Sequence, residues 1–281
     1  MSSGEETAGK ADKAGLKDRI MQGSITLITG GASGIGSAVA RDLIARGGKV
    51  GIFDLSEQTA DALAQELGKN AAALSGSVLD EASIGAALTH LESALGPVTG
   101  LVCCAGVPQV PKPVETFSLE EWSKVLDSHV TGTFLSCKVV GAKLAAKGQG
   151  AIVNLASVVG YAPGPTLAYG PAKAAVMNLT KILAVQWAPK GVRVNAVAPG
   201  WTDTPFLRPS ERKGSRNFDT IARCVPMGRV LRPEEIARPI SFLLSAEASA
   251  ITGVTLPCDG GFIAGTGWAP YGGFELREDE Q

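Results

Sequence analysis

The stretch that decides the fold is Ser24-Ile-Thr-Leu-Ile-Thr29, followed at once by Gly30-Gly-Ala-Ser-Gly-Ile-Gly36. Its first six residues are mostly apolar or β-branched, as in a buried β-strand. After the glycines, alanine, valine and leucine recur with helical spacing up to Arg46. The sequence therefore predicts a strand, a glycine turn and a helix in immediate succession.

The same alternation continues outward from this stretch. Short apolar runs predict further strands at residues 49–53, 71–74, 100–104, 151–156 and 192–198. Helical patterns fall between them, at residues 56–67 with Ser56 as the cap, 81–95, 118–146 and 169–187. Apolar strands that alternate with helices are typical of an α/β fold, with a parallel sheet covered by helices on both faces. Since no repeat or linker interrupts the alternation, we predict one domain over residues 23–262.

Composition narrows the class of protein. The chain has 281 residues, 45% hydrophobic and 19% charged, with a net charge of −1, which predicts a globular protein without general attraction to nucleic acid or anionic membranes. Its five cysteines form no CxxC pair and have no interleaved histidines, so we expect neither a metal site nor a disulfide framework. Residues 1–22 are polar, and no apolar run reaches about 18 residues. We predict a disordered leader and a cytoplasmic protein.

The glycine turn has the surroundings of a dinucleotide site. Glycines allow the backbone to approach a pyrophosphate, whose charge is stabilised by the N-terminus of the following helix. An acidic residue, Asp54, ends the next predicted strand, where a carboxylate can accept hydrogen bonds from ribose hydroxyls and would repel a 2′-phosphate. The sequence therefore predicts NAD as the cofactor, with NADP disfavoured.

A second pattern, Tyr169-Gly-Pro-Ala-Lys173, places a phenol and an ammonium four residues apart. In a helix such residues share one face, and a nearby positive charge lowers the pKa of a phenol from its usual value of about 10. Pro171 is compatible with a first helical turn, which puts the helix start close to Tyr169. The pair suits acid/base chemistry, although the spacing alone also fits two surface side chains.

Taken together, these motifs resemble the short-chain dehydrogenase/reductase family over roughly residues 24–262. The resemblance rests on Thr29-Gly-Gly-Ala-Ser-Gly-Ile-Gly36, Ser157 after an apolar strand, the Tyr169/Lys173 pair, Arg193-Val-Asn-Ala-Val-Ala-Pro-Gly200 with Thr204, and Asp259-Gly-Gly261. It implies a single doubly wound Rossmann domain with a seven-stranded parallel sheet, and NAD(P)-dependent interconversion of alcohols and carbonyl compounds. It also implies a homotetramer, or a homodimer, built on the helices at 118–146 and 169–187.

The resemblance assigns roles to individual positions. Tyr169 would be the catalytic acid/base, Ser157 would hydrogen-bond the substrate oxygen, and Lys173 would bind the nicotinamide ribose and lower the pKa of Tyr169. Pro199, Gly200, Thr202 and Thr204 would hold the carboxamide. The full predicted cofactor-binding set is Gly30, Ser33, Gly34, Ile35, Gly36, Asp54, Val78, Ala105, Gly106, Tyr169, Lys173, Pro199, Gly200, Thr202 and Thr204.

Three departures from the family pattern stand out. Cys103-Cys104 replaces the usual pair of asparagines, and small thiols there are expected to pack in the core. Ser77-Val78 stands where an acidic residue usually meets the adenine, which leaves adenine recognition looser or dependent on the Val78 backbone. His129 occupies the position of the catalytic asparagine, where it is predicted to hold a relay water and titrate near pH 6.5, to be purely structural, or to end the relay.

Three segments are expected to surround the substrate: residues 107–113, residues 158–166 with Tyr161, and a lid at about 201–230 with Trp201 and Phe206. The lid is rich in positive charge, which suggests either solvated surface residues or a clamp for an anionic substrate; its basic residues are Arg208, Arg212, Lys213, Arg216, Arg223 and Arg229. In the tail at 263–281, Trp268 and Tyr271 could pack on a neighbouring subunit or close its pocket.

The predicted function is that of an NAD-dependent oxidoreductase, which converts a secondary alcohol to its ketone, or an alcohol to an aldehyde. The partner is a small alcohol or carbonyl substrate, without nucleic acid, membrane or metal. Two alternatives stay open. One is an NADPH-dependent ketoreductase of the 3-oxoacyl-thioester type, and the other is a catalytically inactive dinucleotide sensor.

Overall fold

The computed structural model describes residues 20–208, 218–268, 270 and 272–274. Seven strands form one parallel sheet in the order β3-β2-β1-β4-β5-β6-β7. The strands are β1 (Ile25–Thr29), β2 (Lys49–Asp54), β3 (Ala71–Ser75), β4 (Gly100–Cys103), β5 (Gly150–Leu155), β6 (Val192–Pro199) and β7 (Thr255–Cys258). The predicted α/β fold class and seven-stranded sheet are confirmed.

Helices cover both faces of this sheet. They are α1 (Gly34–Ala45), α2 (Glu57–Leu67), α3 (Glu81–Leu95), the composite helix α4 over residues 119–147, α5 (Tyr169–Trp187), α6 (Phe218–Arg223), α7 (Pro233–Leu244) and α8 (Phe262–Gly265). Among the described residues, no helix is both long and apolar enough to cross a bilayer.

The interior strand β1 is buried along its whole length because both of its faces carry helices. Leu27 and Ile28 are both fully buried, yet they belong to different hydrophobic clusters, since successive side chains of a strand point to opposite faces. Ile28 packs in the cluster of α1 and α7, and Leu27 in that of α3, α4 and α5. Each buried side chain of this size contributes about 1.5–3 kcal/mol, so this strand anchors both halves of the core.

Two local features differ from the predicted pattern. The long helix α4 contains two π-helical turns, at Asp127–Thr131 and Cys137–Gly141, where a regular helix was expected. Met21, which falls in the predicted leader, is buried, and its N–H donates to the carbonyl of Arg46. The fold therefore includes residues 20–22, while residues 1–19 of that leader lie outside the described part of the chain.

The strand order places a crevice above the middle of the sheet. β1 and β4 are neighbours, while the chain proceeds from β1 toward β3 on one side and from β4 toward β7 on the other. Ligands of open parallel sheets bind at such a reversal of strand order, outside the carboxyl ends of the strands. The turns after β1, β4, β5 and β6 all meet there.

Candidate active site

A cavity of about 1020 Å³ occupies this crevice. All of the predicted catalytic and cofactor-binding residues line it, from Asp54 at one end to Ser157, Tyr169 and Lys173 at the other. The lining consists of short runs of residues from several turns along the carboxyl edge of the sheet. From the sequence-based predictions, we call the end around the glycine turn and Asp54 the cofactor end, and the end around Tyr169 the substrate end.

At the cofactor end, the glycine turn is held closely against the neighbouring strand. Gly30 has φ +63°, and a Cβ there would lie 2.7 Å from the backbone Cα of Ala105, so a side chain would be both strained and obstructed. Helix α1 begins four residues later, at Gly34, and its N-terminus faces the cavity through Gly34, Ile35 and Gly36. Free backbone N–H groups with a positive helix end suit a pyrophosphate.

Asp54 joins the glycine turn to the end of β2. Its Oδ2 accepts a hydrogen bond of 3.0 Å from the backbone N–H of Ala32. The cap of α2 is Ser56, which accepts from the N–H of Thr59, so Asp54 is not needed as the helix cap. A carboxylate fixed beside the turn fits the ribose of an adenine dinucleotide. Val78 lines the same end of the cavity.

At the substrate end, Tyr169 is the first residue of α5, as the sequence predicts. Lys173 lies one turn further on, with its Nζ 5.5 Å from the centre of the Tyr169 ring. This Nζ donates a hydrogen bond of 2.6 Å to the carbonyl of Leu155 at the end of β5. The lysine is 4% exposed, and burial lowers its pKa to about 8. The phenol and the ammonium therefore share one enclosed space.

Ser157 follows β5 and is held beside α5 by a buried polar link. Asn154 on β5 donates to the hydroxyl of Thr180 on α5 at 3.0 Å, and Thr180 donates to the carbonyl of Val176. Because both linked side chains are fully buried, their hydrogen bonds are costly to break. This link fixes the strand that carries Ser157 against the helix that carries Tyr169.

His129 lies on the first π-helical turn of α4, a feature often found at functional sites. Its Nε2 is 2.9 Å from the carbonyl oxygen of Val107, and since a carbonyl only accepts, Nε2 carries the hydrogen. The ring is 3% exposed and packs edge-on to Tyr169, with centroids 5.0 Å apart. Nδ1 then presents an acceptor lone pair that has no partner among the described residues.

The charge state of His129 differs from the sequence-based expectation. Burial, together with the nearby Lys173 charge, lowers the pKa of His129 to about 3. The expectation that this side chain titrates near pH 6.5 is therefore wrong for the buried ring, which is neutral at physiological pH. The role of a neutral water-binding group remains compatible with the geometry.

Gly106 and His129 fit together sterically. A Cβ on Gly106 would lie 2.0 Å from Cε1 and 2.3 Å from Nδ1 of the histidine ring. Such distances are far inside van der Waals contact, so the ring occupies the space that any other residue would need at position 106. Glycine at this position is therefore a condition for the observed placement of His129.

Cys103 and Cys104, which replace the pair of asparagines usual in the family, are chemically inert in the structure. Cys103 is buried and Cys104 half-buried. A hydrogen bond with Cys137 and burial raise the pKa of Cys103, and burial raises the pKa of Cys104 to about 12. Because the thiolate is the reactive form, these thiols act as small packing groups, in line with the sequence-based expectation.

The segment predicted as a lid supplies apolar surface at the substrate end. Phe206 lies with its ring centre 5.6 Å from that of Tyr169 and 6.5 Å from that of His129, and Trp201 also lines the cavity. Thr204 packs against the glycine turn, where a Cβ on Gly34 would touch its side chain at 3.4 Å. Thr202 lines the cavity beside it.

Tyr161 does not take the predicted place near the substrate. Its hydroxyl donates to the carbonyl of Thr255 at 2.8 Å, its ring is 44% exposed, and it is not among the cavity-lining residues. The hydrogen bond to β7 turns the side chain away from the cavity. Trp268 is exposed as well, and Tyr271 lies outside the described residues.

The described arginines of the lid do not form an anion clamp. Arg208 is paired with Asp203 and Arg229 with Glu235, and Arg223 is exposed; none of the three lines the cavity. Their charges are satisfied at the surface by carboxylates or by solvent. Arg212, Lys213 and Arg216 lie outside the described residues.

Two residues of the substrate end were not singled out from the sequence. Gln109 and Thr166 both line the cavity, and each has a buried polar atom without a partner among the described residues. The sequence signal for Gln109 is its place as a polar residue between prolines in an otherwise apolar loop, Val107-Pro-Gln-Val-Pro111. Thr166 has no comparable signal, because threonine is common in loops.

Comparison with known proteins places the chain in a family. A family model described as enoyl-(acyl carrier protein) reductase matches residues 30–263. The chain is 39% identical over 246 residues to cis-4-hydroxycyclohexanecarboxylate dehydrogenase of Sinomonas cyclohexanicum, covering 85% of this chain and 96% of that one. It is 37% identical over 246 residues to D-threitol dehydrogenase of Mycolicibacterium smegmatis, covering 86% and 94%.

A solved structure shows the same architecture. The crystal structure of 3-ketoacyl-(acyl-carrier-protein) reductase from Brucella melitensis, complexed with NADH, matches with a TM-score of 0.79 and 35% identity, covering 86% of this chain and 98% of that one. The chain belongs to the short-chain dehydrogenase/reductase family. It is an oxidoreductase that interconverts secondary alcohols and ketones, and its cofactor is a nicotinamide dinucleotide.

Proposed function

We propose that this protein is an NAD-dependent dehydrogenase of a neutral secondary alcohol or polyol, with Tyr169 as its catalytic acid/base. The observation that carries the proposal is the shared cavity, in which the Tyr169/Lys173 pair and Ser157 face one end and Asp54 the other. A bound nicotinamide dinucleotide supplies the acceptor or donor of the hydride.

The proposed chemistry divides between three side chains. Ser157 donates a hydrogen bond to the substrate oxygen and orients the carbinol. The Tyr169 phenolate takes the hydroxyl proton as the carbinol hydride leaves, and the phenol returns it in reduction. Lys173 favours the phenolate by its charge and binds the nicotinamide ribose. Because burial lowers the pKa of Lys173 to about 8, the lysine loses its charge as the pH rises through that value. Its electrostatic effect on Tyr169 is then lost.

The preference for NAD over NADP rests on Asp54. Its carboxylate is fixed next to the glycine turn by the Ala32 N–H. A 2′-phosphate placed against this carboxylate would meet like charge, which costs several kcal/mol where water is excluded. The charge of Asp54, rather than the identity of any relative, supports the assignment of NAD.

The neutral character of the substrate rests on the lining of the substrate end. Among the described lining residues, the charged ones are Asp54, Lys124, Asp127 and Lys173. Asp54 lies at the cofactor end, Lys173 is buried beside Tyr169 with its Nζ bonded to the carbonyl of Leu155, and Lys124 and Asp127 have opposite charges at exposed positions of α4. D-Threitol, named for one relative, represents this class of substrate. A carrier-bound thioester would need cations along the rim, and the described lid arginines are directed elsewhere.

His129 acts in this proposal as a neutral acceptor. Its Nε2–H is committed to Val107, so Nδ1 is the atom left to bind a water molecule. A water held there would connect the buried Lys173 to solvent, as the family's asparagine does, without a change in the charge of the ring.

Assembly and location complete the proposal. Phe134 on α4 and Ile182 and Val185 on α5 are exposed apolar side chains, and such surface is typical of subunit contacts. A second copy of this chain, in a homotetramer or homodimer, would cover it.

The five cysteines are unpaired, which supports a reducing compartment such as the cytoplasm. The substrate lid at 201–230 and the tail at 263–281 remain proposed divisions of the chain.

Cofactor binding and turnover test the proposal together. Fluorescence titration should give a lower Kd for NADH than for NADPH, and absorbance at alkaline pH should show NADH formation with polyols and cyclic alcohols. Tight NADH binding without turnover of any alcohol would instead support the inactive sensor. Preference for NADPH with a 3-oxoacyl thioester would support the ketoreductase.

A further inference from the structure

Gln109 connects the loop after β4 to the helix that carries Tyr169. Its Oε1 accepts hydrogen bonds from the backbone N–H groups of Ala168 at 3.0 Å and Tyr169 at 2.8 Å. The first N–H groups of a helix have no partner within it, and Ala168, the N-cap residue of α5, provides no side-chain bond. Gln109 therefore caps α5 from a loop about 60 residues earlier in the chain.

These two hydrogen bonds also fix the orientation of the amide. Both partners are donors, so the atom that faces them must be the oxygen, and the NH₂ group must point away from the helix end. The side chain is 6% exposed, which restricts it further. Its Nε2, with two hydrogens to donate, has no hydrogen-bond partner among the described residues.

A buried donor without a partner is costly, by about 1–3 kcal/mol. Gln109 lines the cavity together with Tyr169, Ser157 and His129. Thr166 lines the same end, and its Oγ1 is also buried without a partner in the described part of the chain. Since its backbone carbonyl accepts from the N–H of Gly170, Thr166 too lies at the start of α5. The substrate end thus holds polar atoms that the acid/base chemistry at Tyr169 does not use.

We infer that Gln109 is a specificity-determining residue, which donates a hydrogen bond from Nε2 to a second oxygen of the substrate, beyond the carbinol that reacts at Tyr169. This inference rests on the proposed alcohol dehydrogenase function. Since the substrate must carry a second oxygen, the inference narrows the substrate to a diol or polyol. The charges of the described lining favour a hydroxyl over a carboxylate as that second oxygen. Through Oε1 the same side chain holds the start of α5, so one amide positions the catalytic tyrosine and selects its substrate.

Two substitutions separate the donor from the cap. Gln109→Glu keeps an oxygen that can accept from the N–H groups of Ala168 and Tyr169, but it removes the NH₂ donor. Gln109→Met removes both functions with little change in length. Gln65→Met, on the exposed side of α2, is the matched control for the glutamine-to-methionine change.

The measurement is the ratio of kcat/KM for 1,2-cyclohexanediol, tested as separate isomers, to kcat/KM for cyclohexanol. The wild-type ratio for the preferred isomer should exceed unity, and both Gln109 variants should lower it by about tenfold or more, as expected for a lost buried hydrogen bond. A general change in the pKa of Tyr169 would affect both alcohols and cancel in the ratio. Gln65→Met should leave the ratio at its wild-type value.

The outcomes distinguish this inference from the function on which it rests. If Gln109→Met lowers the ratio and Gln109→Glu does not, the residue acts through the cap alone and the donor role is wrong. Unchanged ratios in both variants would also contradict it, while leaving the dehydrogenase intact. If the wild-type protein oxidises neither cyclohexanol nor any isomer of 1,2-cyclohexanediol, the proposed function itself is contradicted.

Discussion

The two ends of the cavity are built by different means. At the cofactor end, backbone geometry predominates: a glycine with positive φ, a helix N-terminus and one carboxylate bonded to the turn. At the substrate end, side chains predominate, and their partners come from distant parts of the chain, as with Gln109 and the start of α5 or His129 and Val107. Both ends join segments that are distant in the chain, but the first relies mainly on backbone groups and the second on side chains.

This difference predicts that the two ends respond to mutation separately. A common cofactor needs the same backbone contacts whatever the alcohol, whereas the alcohol is recognised by groups that can change without affecting the turn. Substitutions at the substrate end should therefore alter catalysis or selectivity with little effect on cofactor affinity, and the reverse should hold for Asp54.

The largest effect is expected from Tyr169→Phe. Removal of the phenolic hydroxyl removes the acid/base, which typically contributes about 10²–10⁴-fold to the rate, while the turn that binds the cofactor is untouched. We expect kcat to fall by about 10³-fold with an NADH Kd close to that of the wild type. Tyr161→Phe is the matched control, because its hydroxyl bonds to Thr255 outside the cavity. Substantial activity in Tyr169→Phe would remove the tyrosine from its assigned role.

Asp54→Asn should change the choice of cofactor and leave the choice of alcohol intact. The amide oxygen can still accept from the Ala32 N–H, but the charge that opposes a 2′-phosphate is gone. The ratio of kcat/KM for NAD to that for NADP should fall by about tenfold to hundredfold. Asp61→Asn, exposed on α2, provides the comparison. An unaltered ratio would show that another group sets the preference.

Gly106→Ala tests the fit between the loop after β4 and His129. The added Cβ would overlap the imidazole ring, so the free energy of unfolding should fall by about 1–3 kcal/mol, as measured by urea denaturation. In the double variant Gly106→Ala/His129→Ala the loss should be smaller than the sum of the two single effects. The control is Gly85→Ala in α3, where a Cβ meets nothing within 4 Å and alanine favours the helix. Simple additivity would mean that the ring and the glycine are independent.

The smallest effect is a pH dependence of stability that comes from His129. The pKa is about 3 in the fold against 6.5 for the free side chain, so the unfolded chain takes up the proton first as pH falls. The stability associated with the neutral ring is complete above pH 6.5 and is lost toward pH 3. Between pH 6.5 and 5 the loss should be about 1.5 kcal/mol.

His129→Asn should abolish this part of the pH dependence. His90, the other of the two histidines in the sequence, is exposed on α3, and His90→Asn should retain the wild-type slope. Equal slopes for wild type and His129→Asn would show that the buried ring is not held neutral. The same buried neutrality predicts no His129 contribution to the acid limb of the activity profile between pH 5 and 7.

The two ends also differ in how far they can be predicted from sequence. The glycine turn and Asp54 belong to one recognisable strand–turn–helix–strand pattern, and Tyr169 and Lys173 to one helical turn, so these features are predictable from the sequence. The cap by Gln109 and the π-helical turn that carries His129 are set by packing between segments, which leaves no local pattern. Tyr161 was misplaced for the same reason, because the contact that directs its hydroxyl lies 94 residues away, at Thr255.

The proposed reaction transfers hydride directly from the carbinol carbon of the substrate to the cofactor. The measurement is oxidation of the preferred diol carrying deuterium at the reacting carbon, with NAD as acceptor and mass spectrometry of the reduced cofactor. We expect NADH that carries one deuterium, together with release of one proton to the medium, and a fall in the rate of both signals by about 10³-fold in Tyr169→Phe. Unlabelled NADH, or turnover in Tyr169→Phe close to the wild-type rate, would contradict direct hydride transfer with Tyr169 as the acid/base.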